Sequence, residues 1–327
     1  MWVRVSDGEP VVVTALDAET AASVLPGDLR ERLGEFTEWG GSTEREGSAG
    51  LARADLLITG WGSPALTGEF LAAAPRLRAV FHAAGSVKWL VTPAVWERGI
   101  VVSSAAEANA GPVSDYAFAL ITLAAKRALA TVAAYATHGR DGWPDSRERR
   151  GGDGLTVGVI GASRIGRRVM DRLRASDAGY RILLHDPYAA GSVDLETLCG
   201  NSAIITLHAP ELPETRHLLN AERLALIPDG GTVINTARGS LIDTDALTRE
   251  CASGRLDAFL DVTEPEPLER GHQLLSLPNV MVTPHIAGAQ GGEVRRLGAW
   301  VVEEIERWVR GLPLSGRVER SELHRLA

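Results

Sequence analysis

The chain has 327 residues, 45% of them hydrophobic, with a formal net charge of -8. That length and composition suit about two globular domains rather than a disordered or fibrous chain, and the acidic balance argues against a nucleic-acid surface. Two cysteines, Cys199 and Cys251, stand far apart without metal-ligand spacing, which excludes a disulfide framework and leaves no metal site to expect.

In chain order, Met1–Asp7 lacks the long apolar core of a signal peptide. Apolar runs at Pro10–Leu16, Ala54–Thr59, Leu77–His82 and Ile100–Ser103 read as buried strands separated by segments of helical spacing, a parallel α/β pattern. From Pro112 a long helix is expected to about His138–Gly139, with the proline in its first turn and Asp115 near the positive end of its dipole. The apolar stretch Val113–Ala136 carries Asp115, Lys126 and Arg127, so it falls short of a membrane span. The expectation is a cytoplasmic protein. The segment from Gly142 to Gly154 is polar and Gly-rich, and its Arg147–Arg150 stretch reads as a solvated loop.

Past that bridge the strand Leu155–Ile160 runs into the turn Gly161-Ala162-Ser163-Arg164-Ile165-Gly166. A strand, a glycine turn and a helix in succession form a dinucleotide-binding fingerprint, here with serine at the middle glycine, the one that permits close backbone approach to a pyrophosphate. Twenty residues past Gly166, at the end of the next strand, stands Asp186. A carboxylate at that spacing accepts hydrogen bonds from ribose hydroxyls and repels a 2′-phosphate, favouring NAD over NADP. Taken alone, Asp186 is equally well a turn former before Pro187. Alternation resumes with a helix to about Ala175 and strands at Arg181–His185, Ala203–Leu207, Thr232–Asn235, Asp257–Asp261 and Val280–Val282. These predict a doubly wound sheet, and the helical segment Gly291–Gly311 is placed to pack back on the first domain.

Three segments follow predicted strands at the sheet's carboxyl edge: Asn235–Gly239, Asp261–Pro267 and Thr283–Gly288. Reduction of a 2-oxo acid needs a cation for the carboxylate, a proton donor for the carbonyl oxygen and a carboxylate to orient that donor, and Arg238, His285 and Glu266 are the residue types that supply them. Singly, each has a plainer reading: a surface ion-pair partner, a satisfied histidine after a strand, and an exposed loop charge.

Together these segments resemble the D-isomer-specific 2-hydroxyacid dehydrogenase family, glyoxylate and hydroxypyruvate reductases among it, over nearly the whole chain. His208–Thr215 is similar to the family's H-x-P-x-T-x-x-T segment with its first threonine replaced by Pro213, and Asn235–Gly239, Asp261–Pro267 and Thr283–Gly288 are similar to its arginine, D-V-x-x-x-E-P and histidine motifs. The resemblance implies two Rossmann-like or flavodoxin-like parallel-sheet α/β domains separated by a cleft. The first is discontinuous, residues 1–106 and 288–327, and takes the substrate; residues 107–287 bind NAD.

By the same resemblance Arg238 binds the substrate carboxylate, His285 exchanges the proton and Glu266 favours the imidazolium. Glu266 speaks against a formate dehydrogenase, which carries Gln there. Cofactor contacts are expected from Gly161, Ser163, Arg164, Ile165, Gly166, Asp186, His208, Pro210, Thr215, Ala237 and Asp261, the last to the nicotinamide carboxamide, with Val113 pressing on the ring. His208 is read as structural or lining the cofactor cleft, not catalytic. Leu77–Val87 resembles the substrate loop, so the backbone N–H groups of Ala84, Gly85 and Ser86 join Arg238 and His285 as substrate contacts, although Val87 replaces the usual Asp and Asp115 the usual Glu.

Trp89 is read as contacting substrate or packing at a domain edge, and Trp143 as packing. The resemblance further implies a homodimer with the helix after Pro112 at its interface, acting on a small 2-oxo or 2-hydroxy acid. Two other readings stay open: an NAD(H)-sensing protein like the C-terminal binding corepressors, or the same fold acting on phosphite or 3-phosphoglycerate, where Lys88 would meet an anion.

Overall fold

A computed structural model describes residues 9–144 and 151–323; the N-terminal heptad and the Arg147–Arg150 stretch lie outside the described residues. The strands are β1 (Val11–Thr14), β2 (Glu38–Ser42), β3 (Leu56–Thr59), β4 (Ala79–His82), β5 (Val101–Ser104), β6 (Thr156–Ile160), β7 (Arg181–His185), β8 (Ile204–Leu207), β9 (Gly231–Asn235), β10 (Leu256–Leu260), β11 (Val280–Val282) and β12 (Arg317–Val318). The chain divides into two compact domains, residues up to Ala110 with those from Ala289, and Gly111–Gly288 between. The crossings therefore fall at Ala110/Gly111 and Gly288/Ala289, against the expected 106/107 and 287/288.

The first domain holds a six-stranded sheet in the order β12-β5-β4-β3-β1-β2, parallel except for β12, which runs antiparallel to β5. Its central strands are buried along their length, β1, β3 and β4 without a single exposed position. Such continuous apolar runs are what a parallel sheet covered on both faces requires, and these strands were legible for that reason. β2 and β12 were not. The β2 sequence Glu-Trp-Gly-Gly-Ser has exposed positions and sits at the sheet's edge; Gly40 is needed there because a Cβ would lie 2.6 Å from Val11 Cγ1.

The helix Val294–Val309 buries Leu297, Val301, Val302 and Ile305 in this domain's core. Gly298 admits the carbonyl of Val24, which an added Cβ would meet at 1.6 Å. Buried Glu304 accepts hydrogen bonds from Ser103 Oγ at 2.6 Å and from the N–H groups of Ser315 and Gly316 at 2.9 Å, fastening the return to β12.

The second domain's sheet, β11-β10-β9-β8-β6-β7, is parallel throughout. Chain order reverses between β6 and β8, so the turn after β6 opens at the topological switch point, where such sheets hold ligands. One expectation fails in detail. The helix expected from Pro112 to His138 is two, Ala106–Ala125 and Ala128–His138, broken where Arg127 takes φ 51°. Pro112 lies inside the first helix rather than in its opening turn. Gly139, at φ 55°, ends the second, where a left-handed residue is the usual stop. No single helix among the described residues is long and apolar enough to cross a membrane.

Candidate active site

The turn after β6 is fixed by two glycines and a cap. Gly161 takes φ +100°, and a Cβ there would lie 2.6 Å from the Ala209 nitrogen; a Cβ on Gly166 would lie 2.0 Å from the Gly161 carbonyl oxygen. Neither position admits another residue. Ser163 differs: at φ -65° and ψ 178° it needs no glycine, and its Oγ accepts the Gly166 N–H at 3.3 Å as the N-cap of the helix Arg164–Ala175. The serine is thus a helix cap rather than damage to the fingerprint. The first helical turn carries no acidic residue, and Arg164 and Arg167 stand there exposed, a placement that suits an anion at a helix N-terminus.

Asp186 proves to be both a turn former and a partner of the fingerprint. Its Oδ1 accepts the Tyr188 N–H at 2.8 Å, and its Oδ2 accepts the Ala162 N–H at 2.7 Å. A carboxylate has about four acceptor sites, so this one, docked on the glycine turn, retains capacity for ribose hydroxyls. Ile165 is half-buried and packs into the core beneath. The turn and its acid fit a dinucleotide carrying a free 2′-hydroxyl.

Farther along the same edge the three motif loops hold one another. Asn235 bridges the arginine turn, donating from Nδ2 to the Arg238 carbonyl at 2.8 Å and accepting the Ala237 N–H at 3.0 Å. Gly239 lets this turn meet the next motif, since a Cβ would lie 2.0 Å from the Thr263 carbonyl oxygen. Arg238 donates from Nη1 to the Ala237 carbonyl at 2.6 Å. Burial lowers its guanidinium pKa, while the negative charges of Glu211 and Glu266 act the other way and favour the cation. Glu211 is held at this turn by the Ser240 hydroxyl, 2.7 Å away.

His285 sits in the left-handed region at φ 55°, and its N–H donates to the Asp261 carbonyl at 2.9 Å. Its Nδ1 lies 2.6 Å from Glu266 Oε1, with the two side chains 53% and 42% exposed. Nε2 has no hydrogen-bond partner among the described residues. A carboxylate on one imidazole nitrogen and an accessible second nitrogen make an oriented proton donor and acceptor.

Buried Asp261 shapes the loop that carries His285. Its Oδ1 accepts Thr283 Oγ1 at 2.6 Å and the Ile286 N–H at 2.8 Å, and its Oδ2 accepts the Ala287 N–H at 2.9 Å. Three of roughly four acceptor sites are thereby used, which makes Asp261 first a positioning residue for the histidine turn and leaves one site on Oδ2. Tyr116, which sequence reasoning missed, lies 3.1 Å from Thr283 Oγ1 through its hydroxyl. A contact across 167 residues leaves no local signal.

Other expected residues serve the scaffold. His208 is buried, with Nε2 3.0 Å from Thr206 Oγ1 and no partner for Nδ1 among the described residues. Burial lowers its pKa to about 3, which keeps the ring neutral, and a Cβ on Gly166 would lie 3.3 Å from the His208 Cβ. Thr215 accepts the Leu212 N–H at 2.8 Å and donates to the Pro210 carbonyl at 2.7 Å, closing its own loop. Counted from His208, the family segment's first threonine falls at Leu212 rather than at Pro213. The side chains of Val113 and Ala237 are buried.

In the first domain the expected substrate loop follows β4. Ala84 is buried, Gly85 and Ser86 half-buried. Val87, where the family pattern has Asp, is a core residue under the sheet. Asn109 lies beside Gly85 and accepts the Ala289 N–H at 2.9 Å. Beneath the loop His82 Nδ1 lies 3.0 Å from Thr59 Oγ1, and burial lowers its pKa to about 4, against a weaker upward pull from the Ser86 backbone. Trp143, expected to pack, is exposed, with the tilted ring of Tyr135 at 6.3 Å. Asp115 pairs with Arg172 Nε at 2.8 Å.

The second domain is thus a dinucleotide-binding α/β fold whose ligand edge also carries an acid–base pair and a half-buried cation. Residues 119–287 match the family model described as D-isomer specific 2-hydroxyacid dehydrogenase, NAD binding domain. The chain is 35% identical over 252 residues to a hydroxypyruvate reductase of Thermotoga maritima, covering 73% of this chain and 80% of that one. It is 33% identical over 314 residues to a D-3-phosphoglycerate dehydrogenase of Methanocaldococcus jannaschii, covering 92% of this chain but 57% of the relative.

Among solved structures, a D-lactate dehydrogenase from Aquifex aeolicus complexed with NAD and lactic acid superposes with a TM-score of 0.72 at 27% identity, over 92% of this chain and 96% of that one. The chain belongs to the D-isomer-specific 2-hydroxyacid dehydrogenase family, with NAD as cofactor. It spans little more than half the length of the phosphoglycerate dehydrogenase it matches.

Proposed function

We propose that this protein is a D-specific 2-hydroxyacid dehydrogenase that interconverts a small 2-oxo acid and its 2-hydroxy acid. The observation that carries the reading is the 2.6 Å contact of His285 Nδ1 with Glu266 beside an accessible Nε2. When bound, NAD(H) supplies or accepts the hydride at the substrate's C2. Arg238 takes the substrate carboxylate as a charge-assisted pair, and its partial burial strengthens that attraction. His285 Nε2 donates the proton to the carbonyl oxygen during reduction and takes it back during oxidation. Glu266 offsets the imidazolium charge that the donor state requires. In the first domain the candidate substrate contacts are the backbone N–H groups of Ala84, Gly85 and Ser86. The fingerprint turn holds the pyrophosphate, and Asp186 the ribose hydroxyls.

We assign the exposed apolar helix Ala128–His138 to a second copy of the chain. It buries no residue of its own, and Val132, Tyr135 and nearby Trp143 are exposed together, a clustering of apolar side chains that suits an interaction face. The two free, buried thiols suit a reducing cytoplasm. The reading is tested by incubating purified protein with NADH and a panel of 2-oxo acids, then resolving the product's stereochemistry. NADH oxidation yielding the D-hydroxy acid is expected. Tight NADH binding with no turnover of any acid would favour a sensing protein instead.

A further inference from the structure

Three consecutive backbone N–H groups, those of His285, Ile286 and Ala287, end on one residue. The first donates to the Asp261 carbonyl at 2.9 Å, the second to its Oδ1 at 2.8 Å and the third to its Oδ2 at 2.9 Å. Together they hold His285 in the left-handed region at φ 55°, a conformation that a residue with a side chain keeps only where its surroundings impose it. The orientation of the Asp261 carboxylate thus sets the turn from which His285 reaches Glu266.

One further group holds that carboxylate, Thr283 Oγ1 at 2.6 Å from Oδ1. A hydroxyl has a single proton and a carboxylate can only accept, so the Thr283 proton is committed to Asp261. The 3.1 Å contact between Thr283 Oγ1 and the Tyr116 hydroxyl then has one direction, with Tyr116 donating. Tyr116 lies on the helix Ala106–Ala125, one turn before Leu120, which is buried in the second domain's core with Ala117, Ile121 and Ala124. Its ring packs against that same core, so a fixed part of the scaffold delivers the hydroxyl.

We propose that Tyr116 is a positioning residue for the acid–base histidine, acting through Thr283 and Asp261. The inference rests on the dehydrogenase reading above for its chemistry and on the hydrogen-bond chain for its geometry. Tyr116 leaves the Thr283 hydroxyl one orientation, and Thr283 in turn keeps both Asp261 oxygens on the histidine turn. His285 Nδ1 then stays on Glu266, with Nε2 accessible.

The test measures kcat and KM of the full chain with NADH on whichever of glyoxylate, hydroxypyruvate and pyruvate the parent reduces fastest, with NADH affinity and the thermal midpoint alongside. Tyr116→Phe should lower kcat by about five-fold, the scale of a neutral hydrogen bond, and Thr283→Val by about ten-fold or more, the scale of one to a charged group. KM and NADH affinity should hardly change. The double variant should be no slower than Thr283→Val alone, because the two residues act in series. Thr283→Ser, which keeps the hydroxyl, should retain most of the parent's rate.

A parental kcat in Tyr116→Phe overturns the proposal, as do additive losses in the double variant or a serine variant as slow as the valine one. A lowered thermal midpoint with kcat intact overturns it too, by assigning Tyr116 to stability alone. A crystal structure of the double variant decides the geometry without turnover: a displaced Asp261 carboxylate and His285 turn uphold the positioning role, and an unmoved pair overturns it. If the parent reduces none of the three acids with NADH binding intact, the dehydrogenase reading fails by itself and the crystal structure still decides the role of Tyr116.

Discussion

The two sheets share a strand order, apart from the antiparallel β12 at one edge of the first, and finish differently. At the carboxyl edge of the second, Asp186, Asn235 and Asp261 are each engaged by backbone N–H groups, and Arg238, Glu266 and His285 stand on the loops they shape. At the corresponding edge of the first, the polar side chains Thr59, Ser63 and His82 are buried, and two indoles face solvent. A parallel sheet offers an edge to ligands but does not choose the chemistry; the loop residues do. One edge carries polar side chains held by backbone N–H groups, while the other buries its polar side chains and exposes two indoles.

The largest expected effect breaks the charged edge at its proton donor. His285→Ala should lower kcat by about 10²-fold or more, with NADH affinity nearly unchanged by fluorescence titration; wild-type turnover would remove His285 from the chemistry.

The next contrast sets this exposed histidine against the buried ones, His82 in the first domain and His208 in the second. Unfolded, both titrate near 6.5; folded, burial lowers them to about 4 and about 3. The unfolded chain therefore binds protons that the folded one refuses. Their contribution to stability is full above pH 6.5 and is lost as pH falls toward 4 and then 3, by up to about 1.4 kcal/mol per pH unit for each histidine. Denaturant midpoints measured between pH 7 and 4.5 should fall less steeply in His208→Gln than in the parent, and equal slopes would refute the buried neutral state.

A smaller change is expected at the cofactor turn. Asp186→Ala should weaken NAD by about ten-fold and narrow its advantage over NADP, the scale of a charge-assisted hydrogen bond. An unaltered ratio in competitive binding would return Asp186 to turn forming alone. The smallest effect belongs to Ser163→Gly. A glycine cap costs only a few tenths of a kcal/mol relative to serine, so NADH affinity should change less than about two-fold; a large gain would mean that the serine obstructs the pyrophosphate.

Much of this was legible in the chain itself. Central strands of a parallel sheet must be apolar on both faces, so β1, β3, β4, β6, β8, β9 and β10 announce themselves as short hydrophobic runs. The fingerprint glycines, Asp186 and the three motif loops were readable because each keeps a fixed distance from a strand end. Edge strands β2 and β12 escaped, since an edge needs little apolar content. The helix break at Arg127 escaped because helical periodicity continues across it.

What the sequence determined by itself, then, is the fold, the cofactor turn and the loops that carry Arg238, Glu266 and His285, all local patterns with fixed spacing. Tertiary structure alone decided the rest. It turned Ser163 into a cap and Val87 into a core residue, and made Asp261 the former of the histidine turn with Tyr116 behind Thr283. Each depends on which distant segments meet at a sheet edge, and burial and hydrogen bonding between segments far apart in the chain leave no local trace in it.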